Sequence, residues 1–213
     1  MTGKDRHKEK LKGLYAITDE NLITENNFSE AVESALRGGC RIIQYRDKST
    51  DHDKRLQQAA RLQSLCMRYQ ATCIINDDIA LAKTVGADGV HLGKDDVSIS
   101  QARKLLGENS IIGISCYNDL DLAIAAERNK ADYVAFGAMF SSPTKPQAKS
   151  TSPALIARAK KRLAIPVCAI GGITEDNIRQ LVTQQTDMAA VISSLFSSSD
   201  IEQTARLLSQ YFD

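Results

Sequence analysis

The amino-acid sequence predicts an α/β protein with one domain, residues 1–213, in which eight parallel strands close into a (β/α)8 TIM barrel. Its 213 residues are 43% apolar, which allows one sizeable core at the short end of the length range of such barrels. Eight short β-rich runs recur along the chain with helical stretches between them. This alternation favours parallel strands with right-handed crossovers, and eight units close a barrel rather than leave two open edges. A doubly wound open sheet is the competing interpretation.

The predicted strands and the clearest helices follow from local patterns. The eight strands are residues 14–18, 41–46, 73–76, 89–92, 111–115, 133–137, 167–170 and 188–192. One helix face is formed by Phe28, Ala31, Val32, Ala35 and Leu36. Asn27 and Glu30 predict a capping box at its start, and Gly38-Gly39 its end. Pro153 predicts another helix start, because proline fits the first helical position. We expect the charged residues 1–12 to form a flexible tail.

Composition argues against several classes of partner. Lys and Arg number 27 and Asp and Glu 26, so no global field favours nucleic acid or an anionic membrane surface. The sequence also lacks a secretory leader and a long apolar span, which predicts a cytoplasmic protein. Its five cysteines are odd in number and include no CxxC pair, so we interpret them as small buried apolar residues. We therefore expect small-molecule substrates, and the sequence is compatible with a homo-oligomer.

The second predicted strand carries an anion-binding pattern. Gln44, Arg46 and Lys48 alternate, so period-two geometry places all three on one face near the carboxyl end of the strand. Arginine can hold a phosphate through its planar fork and lysine as a point charge, which suits a diphosphate. The alternative is a solvated strand end with surface salt bridges.

Carboxylates follow the next two predicted strands. Asp77 and Asp78 come after strand three, and Asp95 and Asp96 after strand four. Carboxylates at adjacent strand ends can share one Mg²⁺ with substrate phosphates, so one of each pair is expected to be a ligand. The alternative is helix N-capping by aspartate, which fits Asp78 and Asp95 better than their neighbours.

Three further features surround this predicted site. His91 lies in an apolar strand, where a lone histidine is more often structural than catalytic. Gly171-Gly172 and Ser193-Ser194 follow strands seven and eight, where barrels commonly hold a phosphate. The Ser-, Thr-, Pro- and Lys-rich segment 138–151 follows strand six and has the length of a functional loop, such as an active-site lid. The layout suits two phosphorylated substrates, with a strongly cationic region near strands two to four and a milder pocket near strands six to eight.

Six segments together resemble the signature blocks of the thiamine phosphate synthase family, in the same order. They are QYRDK (44–48), INDDIALA (75–82), GADGVHLGKDD (86–96), IIGIS (111–115), FGAMFSSPTK (136–145) and AIGGI (169–173). The resemblance runs from residue 14 to about 196. It implies a TIM barrel that joins hydroxymethylpyrimidine diphosphate to a hydroxyethylthiazole phosphate, with Mg²⁺, and releases pyrophosphate.

The same resemblance implies a role for each matching residue. Asp77 and Asp96 would bind Mg²⁺, and the catalytic residues would be Arg46, Lys48, Ser115 and Lys145. The substrate-binding residues would be Gln44, Tyr45, Arg46, Asp47, Lys48, Asn76, Ser115, Ser142, Pro143, Thr144, Lys145, Gly172, Ile192 and Ser193. The implied reaction is dissociative, because the aminopyrimidine stabilises a methylene cation that the thiazole nitrogen captures.

The chain departs from the family pattern at one loop. Ala138 and Ser141 stand where the family usually has proline, which alters the expected loop contacts although Thr144-Lys145 is retained. Two other functions stay open from sequence: a related thiazole tautomerase, and a non-catalytic barrel that binds thiamine precursors. The complete diphosphate and Mg²⁺ residue set favours the synthase.

Overall fold

Eight parallel strands close into one barrel. The structure, a computed structural model, describes residues 3–141 and 151–213, and within them each strand pairs with its neighbour in sequence while the eighth pairs with the first. The strands are β1 (Gly13–Ile17), β2 (Ile42–Tyr45), β3 (Thr72–Asn76), β4 (Gly89–Leu92), β5 (Ile111–Tyr117), β6 (Tyr133–Phe136), β7 (Val167–Ile170) and β8 (Met188–Val191). The predicted strand limits differ from these by no more than two residues, and closure excludes the open sheet.

Helices surround the barrel and alternate with its strands. They are α1 (Gly3–Lys10), α2 (Phe28–Arg37), α3 (His52–Tyr69), α4 (Ile79–Val85), α5 (Ile99–Leu106), α6 (Leu120–Arg128), α7 (Ala154–Lys160), α8 (Glu175–Val182), α9 (Ser193–Phe196) and α10 (Ile201–Ser209), followed by a 3₁₀ turn at Gln210–Phe212. Over the described ranges, no helix has both the length and the apolar character needed to cross a membrane.

Helix α2 shows the predicted buried face but not the predicted cap. All five residues of that face are buried. The side chain of Asn27 makes no capping hydrogen bond, because its Oδ1 accepts from Thr24 Oγ1 at 2.9 Å. The helix start relies instead on its own backbone, with Ala31 N donating to Asn27 O at 2.9 Å.

Strand alternation divides the core into two layers. One layer fills the barrel interior and includes Tyr15, Ile42 and Tyr133, while the other lies between the barrel and the helices and includes Leu14 and Ile43. All five cysteines are buried free thiols, as the sequence predicted. The interior layer is the floor of the site described below.

The N-terminal segment differs from the expected flexible tail. Residues 3–10 form α1, and Leu11 is fully buried in the interior layer of the barrel. His7 Nδ1 lies 3.2 Å from Asp132 Oδ1, and Lys10 Nζ donates to Asp88 Oδ1 at 3.1 Å. Burial of the apolar Leu11 side chain in the barrel therefore orders a segment whose composition is mostly charged.

Asp132 joins α1 and α5 to the amino-terminal rim of the barrel, opposite the polar strand ends described below. Its side chain contacts His7 and accepts hydrogen bonds from Arg103 Nη2 at 2.7 Å and from the backbone N–H of Ile112 at 2.8 Å. Burial alone would raise the pKa of Asp132, but the hydrogen bonds from His7 and Arg103 outweigh it and hold the pKa below its ordinary value. The ionised carboxylate is therefore the stabilising form.

We expect Asp132→Asn to lower the unfolding free energy at pH 7 by about 2–4 kcal/mol, because a buried cation loses its partner. Because the folded-state pKa of Asp132 is lowered, its carboxylate stabilises the folded protein above the unfolded-state pKa, about 3.9. That stabilisation is lost as the pH falls through the folded-state pKa. Urea unfolding at pH 7 and at stepwise lower pH should show the variant and wild type converging below about pH 4. Glu25→Gln, at an exposed position, is the control. A loss that does not change with pH would contradict this assignment.

Candidate active site

Polar strand ends gather at one rim of the barrel. Because all eight strands are parallel, their carboxyl ends open on the same side, where barrel enzymes place their active sites. Gln44, Asn76, Asp77 and Ser115 stand at or beside the ends of β2, β3 and β5. Residues far apart in sequence are thereby brought to a common mouth.

The end of β2 faces both the interior and the rim. Gln44 is buried, and its Nε2 donates to the hydroxyl of Tyr15 at 2.6 Å. Lys48 crosses to the end of β3, where its Nζ donates to Asp77 Oδ2 at 2.6 Å. Arg46 is held by its backbone, since its N–H donates to Thr18 Oγ1 at 2.8 Å. The alternating polar residues of β2 therefore do extend along the mouth.

Asp77 and Asp96 converge, as predicted for a shared cation. Their carboxyl groups lie within hydrogen-bond reach of each other. Asp77 has a left-handed backbone with φ of 61°, and its N–H donates to His91 O at 2.9 Å. Asn76 Nδ2 donates to Asp77 Oδ2 at 2.6 Å, and the N–H of Gly93 donates to Asp96 Oδ2 at 2.6 Å. A left-handed non-glycine residue is uncommon, and here it turns the carboxylate towards the rim.

The two carboxyl groups have opposite pKa shifts. Burial would raise the pKa of Asp77, but hydrogen bonds from Lys48 and Asp96 outweigh it and lower that pKa. Burial raises the pKa of Asp96, as does the neighbouring Asp77 carboxylate, although the Gly93 N–H opposes them. Two carboxyl groups within hydrogen-bond reach of each other favour a shared proton or a cation between them.

Helix capping does not explain these two aspartates. Asp78, not Asp77, caps α4 by accepting from Leu81 N at 2.9 Å, and it also pairs with Arg55 at 2.7 Å. Ser98 caps α5 within a complete capping box. The capping alternative is thus correct for Asp78 and wrong for Asp77 and Asp96.

The donor set at this point fits a hard divalent cation. Asp77 and Asp96 offer carboxylate oxygens, and the amide of Asn76 lies beside them. The described residues contain no group of three or more His, Cys, Asp and Glu side chains that could hold a metal alone. Mg²⁺ suits such a site, because it commonly takes one or two carboxylates and fills its octahedron with water and substrate phosphate.

The rim near β1 to β4 is more acidic than the sequence analysis expected. Four carboxylates border it: Asp19, Glu20, Asp77 and Asp96. Arg46 Nη1 lies 3.8 Å from Asp19 and 4.0 Å from Glu20, and Lys48 is paired with Asp77. The expectation of a strongly cationic region is therefore wrong for the described residues, because acidic groups on the neighbouring strand ends compensate both cations.

A chain of buried polar side chains forms the floor beneath this rim. Ser115 Oγ lies 2.8 Å from His91 Nε2, and His91 Nδ1 lies 2.9 Å from the hydroxyl of Tyr133. The Tyr133 hydroxyl lies 2.9 Å from the Tyr15 hydroxyl, and the Tyr15 hydroxyl accepts a hydrogen bond from Gln44. Burial lowers the pKa of His91 to about 4, so its imidazole is neutral at pH 7. His91 thus has the supporting role that its place in the strand predicted.

The second predicted region lies where the loops after β6 and β7 meet. Phe140 N donates to Gly171 O at 3.0 Å, and Met139 N donates to Ile170 O at 3.0 Å. Gly172 has φ of 64°, and a Cβ on it would overlap the carbonyl oxygens of Ser141 and Phe140. Glycine is required there by conformation and by space.

The remaining predicted residues fall into three groups. Ile192 packs against the interior layer, and Ser193 begins α9 at the end of β8. Tyr45 and Asp47, predicted to bind substrate, instead face α3: Tyr45 Oη donates to Gln58 at 3.1 Å, and Lys54 pairs with Asp47 at 2.7 Å. Period two sends Tyr45 to the helix layer, and both side chains contact α3, so their binding of substrate stays a prediction. The residues Ser142, Pro143, Thr144 and Lys145 lie outside the described part of the chain.

Sequence reasoning missed four rim residues. Thr18, Asp19 and Glu20 follow β1 directly, and the strand-end rule applied to β2 to β4 would have found them. Tyr117 ends β5 after a register shift, with φ of 53° and a side chain 46% exposed. Its backbone conformation has no signal in the sequence.

We expect Gly172→Ala to lower the unfolding free energy by about 1 kcal/mol or more beyond Gly86→Ala. Both glycines have nearly the same positive φ, 64° and 68°, but a Cβ on Gly86 meets nothing within 4 Å. Urea unfolding of the two variants therefore separates backbone strain from the collision with residues 140 and 141. Equal losses would show that the two loops separate freely.

The barrel, its charge-paired rim and the glycine turn after β7 are typical of (β/α)8 enzymes that act on phosphorylated small molecules. The model of the thiamine monophosphate synthase family matches residues 14–195, which is most of the chain. The chain belongs to this family.

Individual relatives agree with the family match. A thiamine-phosphate synthase of Nitrosococcus oceani is 52% identical over 202 residues, covering 95% of this chain and 93% of its own. One from Thioalkalivibrio sulfidiphilus is 48% identical over 205 residues, covering 96% and 97%. A solved thiamine phosphate pyrophosphorylase from Pyrococcus furiosus superposes with a TM-score of 0.87 at 34% identity, covering 96% of each chain.

Proposed function

We propose that this protein is a thiamine phosphate synthase, a cytoplasmic transferase that joins 4-amino-2-methyl-5-(diphosphomethyl)pyrimidine to 4-methyl-5-(2-phosphoethyl)thiazole. The products are thiamine phosphate and pyrophosphate. The observation that carries the proposal is the cluster of Lys48, Asp77 and Asp96 at the rim of a barrel of this family. Relatives with about half of their residues identical over nearly the whole chain bear this name.

Asp77 and Asp96 are proposed to hold Mg²⁺, with Asn76 beside them. When bound, the ion supplies positive charge to the diphosphate and stabilises the leaving pyrophosphate. Lys48 already lies at this point, 2.6 Å from Asp77, and can turn from the carboxylate to a phosphate oxygen. Arg46 stands at the neighbouring strand end and is proposed to contact the same diphosphate.

The proposed reaction needs charge stabilisation more than proton transfer. The bond between the methylene carbon and the diphosphate oxygen breaks, and its electron pair leaves with pyrophosphate. The thiazole nitrogen then donates its lone pair to the methylene carbon and forms the C–N bond. Arg46, Lys48 and Lys145 are proposed to stabilise the growing negative charge, while Gln44 and Ser115 position the pyrimidine. The loop at 138–151 would exclude water from the cation.

The thiazole phosphate is proposed to bind at the second region. Gly172 and Ser193 follow β7 and β8, where barrels commonly hold phosphate on backbone N–H groups. Ile192 offers an apolar surface for the ring, and Ser142 and Thr144 of the loop would add hydroxyl groups. Two regions on opposite sides of one mouth suit two substrates that must meet between them.

The direct test is to supply the purified protein with both substrates and to follow pyrophosphate and thiamine phosphate together. Equal amounts of the two products, formed with Mg²⁺ and lost with EDTA, are the expected result. Isomerisation of the thiazole alone would support a tautomerase. Tight binding of the thiazole phosphate without any turnover would support a non-catalytic binding protein.

Asp96→Asn is expected to reduce Mg²⁺-dependent turnover by about 100-fold or more, because one of two metal ligands loses its charge. Binding of the thiazole phosphate, measured by calorimetry, should change little, since that ligand occupies the other region. Asp95→Asn is the matched control, because Asp95 is exposed and adjacent in sequence. Parallel loss of turnover and of thiazole phosphate binding in Asp96→Asn would contradict the separation of the two regions.

A further inference from the structure

Five side chains form a single-file hydrogen-bonded chain across the barrel interior. In order they are Gln44, Tyr15, Tyr133, His91 and Ser115, with successive distances of 2.6, 2.9, 2.9 and 2.8 Å. They come from β2, β1, β6, β4 and β5, so the chain joins opposite parts of the rim. Only its two ends, Gln44 and Ser115, are residues that the proposed function uses directly.

The barrel has a built passage for this chain. Gly113 on β5 pairs in register with His91 on β4 and with Tyr133 on β6. A Cβ on Gly113 would overlap the ring of Tyr133. Because position 113 has no side chain, the Tyr133 phenol lies across β5 and stacks on His91, with ring centroids 5.5 Å apart and planes at 29°. The link between β6 and β4 therefore depends on one glycine.

Burial makes the direction of the hydrogen bonds matter. Tyr15 and Tyr133 are 1% and 0% exposed, and Gln44 is 2% exposed. Burial raises the pKa of both phenols, so each keeps its proton. A phenol donates one hydrogen, and a neutral imidazole has one N–H and one nitrogen lone pair. The donor in one hydrogen bond of the chain therefore determines the donor in the next. A buried donor without an acceptor is costly, because it has given up its hydrogen bond to water and gained none in the protein.

The first link sets that direction. Gln44 Nε2 donates to the oxygen of Tyr15, so the hydrogen of Tyr15 goes to Tyr133, and the hydrogen of Tyr133 goes to His91 Nδ1. His91 then carries its hydrogen on Nε2 and donates to Ser115 Oγ. With the other tautomer, Tyr15 would receive two hydrogens, and its own would have no acceptor among the described residues. With Gln44 donating through Nε2, this is the one arrangement that satisfies every link.

We propose that this chain fixes His91 as the Nε2–H tautomer and thereby holds Ser115 as a hydrogen-bond donor to the ligand at the rim. Ser115 Oγ accepts from His91, so its own hydrogen points away from the chain. Gln44 uses one Nε2 hydrogen on Tyr15, which leaves its Oε1 as an acceptor at the other end of the chain. Tyr15, Tyr133 and His91 are positioning residues that act through Ser115. The consequence for catalysis rests on the proposed function, whereas the tautomer does not.

The tautomer is measured first, on ligand-free protein labelled with ¹⁵N at histidine. The sequence has three histidines, and the signals lost in His91→Gln assign His91. Long-range ¹H–¹⁵N correlations distinguish the two tautomers, and the expected result is Nε2–H alone. A ring protonated at Nδ1 would overturn the proposal.

The coupling is tested with Tyr133→Phe, which keeps the ring and removes the hydroxyl. His91 Nδ1 then loses its donor, so we expect both tautomers to be populated. Tyr69→Phe, which removes a phenol bonded to Glu33 outside the barrel, should leave the His91 spectrum unchanged. A pure Nε2–H tautomer in Tyr133→Phe would overturn the proposal, because Ser115 alone would then hold it. If Tyr133→Phe does not fold, Tyr15→Phe breaks the chain one link earlier and is used in the kinetic cycle.

The catalytic consequence is tested by a double-mutant cycle. Tyr133→Phe should lower kcat/KM for the pyrimidine diphosphate by about 5- to 10-fold in the wild-type background, yet change it by less than about twofold in Ser115→Ala. A packing defect would act equally in both backgrounds, and that result would overturn the role through Ser115. A wild-type protein without synthase activity would refute the proposed function alone, and the tautomer of His91 would still decide the present proposal.

Discussion

Pairing between β8 and β1 is the constraint on which the rest of this structure depends. Met188 to Val191 align with Gly13 to Ala16, and this contact turns an open parallel sheet into a barrel. Closure brings the carboxyl ends of all eight strands to one rim, and every second side chain of each strand then points into the barrel interior. Lys48 can therefore reach Asp77 across adjacent strands, and Gln44 can be linked to Ser115 through residues from three other strands.

A closed interior also limits how polar groups can be satisfied. In a small barrel this space is filled by side chains, so a hydroxyl or amide buried there must find its partner on another strand. Tyr15 and Tyr133 do so at a place where large apolar residues would otherwise pack. A wholly apolar floor would be simpler to fill. The polar chain instead connects Gln44 with Ser115 at the rim. It depends on Gly113, because only a residue without a side chain leaves room at that position for the Tyr133 ring.

The sequence predicted what is local or periodic. Strand limits followed from β-rich runs, and the convergence of Asp77 and Asp96 followed from the parallel arrangement of strand ends. Helix α1 was missed because its stability comes from Leu11 and Asp132, which are contacts with distant parts of the barrel. The cap of α2 failed because Thr24 competes for the side chain of Asn27. The polar chain could not be predicted, since its members are separated by as many as 118 residues and meet only after closure.

The charges at the rim have a consequence for the order of events under the proposed function. Each cation already has a carboxylate partner, and burial together with the neighbouring Asp77 carboxylate raises the pKa of Asp96. A diphosphate arriving alone would meet four carboxylates, and a divalent cation arriving alone would find only two ligands. If the two bound together, Asp77 and Asp96 would hold the metal, whose charge would offset theirs, and Lys48 would be free to turn to the phosphate. Under the proposed function, the acidity of the rim would therefore make binding of the metal and of the diphosphate mutually dependent, because each would supply what the other lacks.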